Sequence, residues 1–170
     1  MDKKIDTALR AVLVSQYAAA LEMLRETIQK CPDSLWLDGS LRNQFWRVTY
    51  HTLFYVHFYL QPSEKDFAPW PKHRDEVESA TGERRDATPY SRHEMIEYLD
   101  FCLQQVRSKV ADMNFEAESG FPWYRCNKLE LQFISIRHVQ GHVGELSEQL
   151  SDKTGAEIDW VGLGNERSRT

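Results

Sequence analysis

The segment WRVTYHTLFYVHFYL, residues 46–60, most restricts what this chain can fold into. Its apolar stretch from Val48 to Leu60 is apolar on most sides of a helix, yet far shorter than the ~20 residues needed to cross a bilayer. A helix of that kind has to be wrapped by other elements of the same protein. The rest of the chain offers such elements. Ile5, Leu9, Val12, Leu13, Leu21, Leu24 and Ile28 follow three-four spacing, which predicts a first helix that Cys31-Pro32 stops. A turn at Asp38-Gly39-Ser40 precedes the central helix, expected from about Arg42 to Gln61, where Pro62 cannot continue it. Ser91 and Glu94 have the spacing of a capping box, with Tyr90 and Met95 as its hydrophobic staple, and open a third helix. Its inward stripe is expected to be Ile96, Leu99, Leu103, Val106, Val110 and Met113. Asn127, with Glu130 three residues on and Cys126 facing Leu131, opens a fourth helix that should reach about Lys153, with Gly155 as its left-handed stop. No segment alternates as a strand does, so the expected class is all-α: a four-helix bundle, one domain over residues 1–170, with a long connection between helices two and three.

That connection, residues 62–90, is rich in proline and charge and has room for one short helix. Phe67 and Trp70 within it either cover a pocket or plug the loop into the core.

Composition narrows the function classes. With 170 residues, 41% apolar and 12% aromatic, the chain can fill one core. Its net charge of −5, with both signs interspersed, lacks the basic footprint that neutralises phosphates, so no nucleic-acid partner is expected. Cys31, Cys102 and Cys126 are odd in number and lack C-x-x-C spacing, which argues against a disulfide framework and for the reducing cytoplasm. The start of the chain lacks the basic region, compact apolar run and small-residue cleavage site of a secretory signal.

The chemistry resides in three histidines. His138 and His142 in IRHVQGHVGEL are four residues apart, so on a helix their rings stand one above the other. They lie on the expected inward series Leu131, Ile134, His138, His142, Glu145 and Gln149, and His51 falls on the series Val48, His51, Tyr55, Phe58 of the central helix. Polar rings in such positions need hydrogen bonds or a metal. Three imidazoles leave coordination positions open on a divalent cation, and a bound Zn²⁺ lowers the pKa of its water to ~7. Neutral imidazole is the ligand form, so mild acid is expected to release the ion. Core histidines bonded to carbonyls are the competing reading. Glu145 and Tyr55, each one turn from a ligand, are the candidates to touch a bound water or a substrate. His57 lies two-thirds of a turn round from His51 and cannot join it, while His73 and His93 fall at expected surface positions. Gly141 and Gly144 interrupt the last helix, for close packing or for substrate room.

The chain resembles the DinB superfamily of damage-inducible and YfiT-like four-helix proteins. The resemblance covers nearly its whole length and rests on W-x4-H, Trp46 to His51, and on H-x3-H-x-G-E/Q-L, His138 to Leu146. It implies an up-down-down-up bundle, often a homodimer, with His51, His138 and His142 as a zinc or nickel triad. Members with known activity include thiol-dependent S-transferases and a mycothiol-dependent isomerase, and others are described as metal-dependent hydrolases. The functional expectation is an enzyme that activates water or a low-molecular-weight thiol against a small electrophilic substrate. The alternative is a non-catalytic, metal-stabilised bundle acting as a binding or stress-response protein.

Overall fold

A computed structural model describes residues 2–74 and 87–164. Among them the chain is all-helical: α1 (Lys3–Lys30), α2 (Asp33–Trp36), α3 (Phe45–Tyr59), α4 (Arg92–Asp112) and α5 (Lys128–Thr154), with a 3₁₀ turn at Glu64–Asp66. The cap signals act as their chemistry requires. The Ser91 hydroxyl accepts from the Glu94 amide while the Glu94 carboxylate accepts from the Ser91 amide, and Asn127 accepts from the Glu130 amide. Gly155 closes α5 at φ 72°.

The central helix is shorter than its apolar pattern, starting at Phe45 rather than Arg42 and ending at Tyr59 rather than Gln61. Pro62 disfavours helical backbone at the residue before it, and Gln61 instead closes a turn on Phe58 O. α2 has no counterpart in the periodicity, because four residues carry no readable period.

α1 packs on α4 and α5, and α3 packs on the same two helices from the other side. Arg10 donates to Val110 O and Met113 O at the end of α4, whereas Arg25 pairs with Asp100 further back along it. Tyr17 donates to Gln132, and Lys30 to Glu157 O beyond the end of α5. Asn43 reaches Glu145, while Lys128 at the opposite end of α5 donates to Gln61 O. α3 fills the middle as expected, with Trp46, Tyr50, Leu53 and Val56 at or near zero exposure.

Because α4 and α5 are each gripped from two sides, their buried arcs are displaced from the predicted stripes. On α4, Met95, Tyr98 and Cys102 are buried beside Leu99, Val106 and Val110, and Ile96 and Leu103 are only partly covered. On α5 the buried line is Leu131, Ser135, Val139, Val143, Leu146 and Leu150, so the histidine line lies on its flank. Gly141 and Gly144 do not mediate helix packing, since a Cβ on either would meet nothing within 4 Å.

The connection after α3 is plugged into the core. Trp70 is 6% exposed and stacks on Tyr98 at 4.5 Å, and Phe67 packs against Phe54, His57 and Phe58. His73, expected at the surface, is drawn in as well: its Nδ1 bonds the Tyr50 hydroxyl and its ring stacks on Tyr50. His93 is at the surface as expected, beside Glu97. The room for a short helix in this connection is taken by the 3₁₀ turn in its described part; residues 75–86 lie outside the described residues. Gly120, at φ 80°, lets the segment before α5 touch this loop, since a Cβ there would lie 2.2 Å from Pro62 O.

His57 faces away from the other histidines, against Phe67, Tyr98 and Phe101. Burial pushes its pKa down to about 4, helped by the charge of Lys109. The folded state therefore favours the neutral ring while the unfolded chain protonates near ~6.5, so this contribution is full above pH 6.5 and is lost as pH falls toward 4. Urea midpoints over that range should show the His57→Gln variant losing ~2 kcal/mol less stability than the parent. Equal acid sensitivity in the two proteins would assign the loss to other groups.

Candidate metal centre

α3 contributes His51 and α5 contributes His138 and His142, and antiparallel packing brings them together across 87 residues of sequence. His138 Nε2 lies 3.1 Å from His51 Nε2 and 3.1 Å from His142 Nε2, and the three rings offer nitrogen atoms that all lie within 4.8 Å of one another. Ligand nitrogens ~2.0–2.1 Å from a common cation are about 2.9–3.4 Å apart for octahedral to tetrahedral angles, so the spacing fits one ion.

Hydrogen bonding alone fits the cluster less well. Glu145 Oε2 sits 3.0 Å from His142 Nδ1; a carboxylate only accepts, so the proton is on Nδ1 and the neutral ring presents a lone pair at Nε2. His138 Nε2 can direct one proton or one lone pair at its two neighbours, which satisfies one 3.1 Å contact and not both. His138 Nδ1 is buried without a hydrogen-bond partner, so the core-histidine reading fails for that ring. A cation would accept all three lone pairs at once.

Electrostatics favour the ligand form. Burial, then repulsion from charged His142 and His51, pushes the His138 pKa down to about 3. His138 thus stays neutral in mild acid. The three histidines are half-buried rather than enclosed, with the His142 side chain 21% exposed.

The two candidate catalytic residues sit differently. Tyr55 lays its ring edge against His51 at 4.7 Å and against His138 at 5.5 Å between centroids. Glu145 has both oxygens engaged, Oε2 by His142 and Oε1 by the Asn43 amide at 2.8 Å. Asn43 was not legible as a site residue, because it lies before α3 and 102 residues from its partner. Trp46, the first residue of the W-x4-H pattern, is buried under the Arg47 guanidinium and near Tyr90, as a core residue. Among the described residues no helix is long and apolar enough to cross a membrane. No family model matches this chain, and neither a curated protein nor a solved structure matches it.

Proposed function

We propose that this chain is a metal-dependent enzyme of DinB type, in which His51, His138 and His142 hold zinc or nickel and a water or small thiol is activated against a small electrophilic substrate. The observation that carries the reading is the convergence of three Nε2 atoms at ligand spacing on a half-buried, solvent-reachable flank. Imidazole donors suit both metals. A divalent cation held there supplies Lewis acidity, which makes a water or thiol nucleophilic near neutral pH. The protein's own contribution is to keep the His138 ring neutral, to aim the three rings at one point, and to place the Tyr55 ring beside the site.

The helix contacts support an up-down-down-up four-helix bundle: they run α1 against α4, α1 along α5, and α3 against α5. Three free thiols support a reducing, cytoplasmic setting. The Trp160 indole, 77% exposed, supports the homodimer that the resemblance implies.

The test is to load the protein with zinc or nickel and supply cysteine with 1-chloro-2,4-dinitrobenzene. Thioether formation well above the uncatalysed rate supports transfer, whereas p-nitrophenyl acetate cleavage without thiol supports hydrolysis. Inactivity in both rejects the enzyme reading. The metal-stabilised binding protein then stands if chelation unfolds the helices, because a structural metal is part of the folding free energy.

A further inference from the structure

We propose that Asn43 and Glu145 form a positioning relay that sets the tautomer and orientation of His142, so that the segment before α3 tunes the metal affinity of a ligand on α5. The inference rests on the metal-centre reading above and assigns Glu145 a place behind a ligand rather than at the reacting atoms.

The relay has two links. Asn43 donates its side-chain amide to Glu145 Oε1 at 2.8 Å, and the His142 Nδ1–H donates to Glu145 Oε2 at 3.0 Å. His142 and Glu145 are three residues apart on α5, so they are neighbours on one helix face and Glu145 can rest on the ring edge opposite the cluster. A free neutral imidazole prefers its proton on Nε2, the atom the cluster requires bare. The carboxylate reverses that preference, and it makes the ring a stronger donor through Nε2. Asn43 in turn holds the carboxylate, which is 29% exposed and on its own would be free to turn toward water. His142 therefore arrives at the centre prepared.

Asn43 also makes the relay testable by an isosteric change. Its Oδ1 is buried without a hydrogen-bond partner. In Glu145→Gln the new amide can keep its oxygen on His142 and turn its NH₂ toward Asn43, whose side chain flips to present Oδ1. Geometry survives and charge is lost. Glu145→Ala loses both, and Asn43→Ala loses only the outer link.

Long-range ¹H–¹⁵N correlation spectra of the metal-free protein should show His142 as the Nδ1–H tautomer in the parent and in Glu145→Gln, and shifted toward Nε2–H in Glu145→Ala. Zinc affinity by chelator competition should fall about 10–100-fold in Glu145→Ala, the usual cost of removing a ligand's outer partner, with Asn43→Ala between it and the parent and Glu145→Gln recovering most of the loss. Bound Co²⁺ should report the same order in its visible bands. An Nε2–H His142 in the parent overturns the relay, and so does a Glu145→Ala variant with unchanged tautomer and zinc affinity. A parent that takes up no zinc overturns the metal reading instead, and the tautomer comparison then decides the relay by itself.

Discussion

If the three histidines hold a divalent metal as proposed, the His142→Ala variant should purify without it, and zinc should raise the melting temperature of the parent and not of the variant. Removing this ring leaves two imidazoles, His51 and His138, from different helices, and strands Glu145 with no ring to hold. Loss of an outer partner already costs about 10–100-fold in affinity, so loss of the ligand itself should exceed that. With zinc at 100 times its Kd the parent gains ~2.7 kcal/mol, which for a chain of this length raises Tm by roughly 5–11 °C. The variant should gain none of it. Its metal-free helix content should match the parent's, since the core residues of α3 and α5, such as Tyr59, Leu131 and Leu146, are buried without the ring's help. Elemental analysis after gel filtration and melting curves with and without zinc check both halves. Unchanged metal content would remove the basis for a three-histidine centre.

Trp70→Ala should be the most destabilising single change in the loop, by about 3–5 kcal/mol, or roughly 6–20 °C in Tm. The indole lies flat on Tyr98 at 4.5 Å and 13°, meets Tyr90 at 6.0 Å, and is 6% exposed. Stacked pairs of this kind add about 0.5–1.5 kcal/mol beyond area burial. Alanine would leave Tyr98, itself fully buried, facing a cavity. His93→Ala provides the control: its side chain is 84% exposed, and the change should stay within ±0.5 kcal/mol. Equilibrium urea unfolding separates the plug from a lid, because a lid could lose its tryptophan with little change in stability.

What was readable without coordinates was local. Ser91 with Glu94, Asn127 with Glu130, and Gly155 are signals in which both partners lie within one helical turn, and each does in the structure what its chemistry implies. The pairing of His138 with His142 belongs to the same class. The register of the stripes does not, because α4 and α5 are each covered from two directions, and the buried arc turns to face the space between two neighbours. That rotation puts the histidine line on a flank, half-buried, instead of in the middle of the core. It also leaves Gly141 and Gly144 facing open space.

The sequence by itself determined the four long helices, most of their ends, the central place of the aromatic helix and a pair of imidazoles on one face. Only the tertiary structure decided that His51 meets that pair, that Asn43 and Glu145 stand behind His142, that His73 docks on Tyr50, and that Trp70 is a plug. The physical reason is range: three-four contacts and caps are closed by a few bonds along the chain. A meeting across 87 or 102 residues instead depends on how whole helices pack, which no short stretch of sequence encodes.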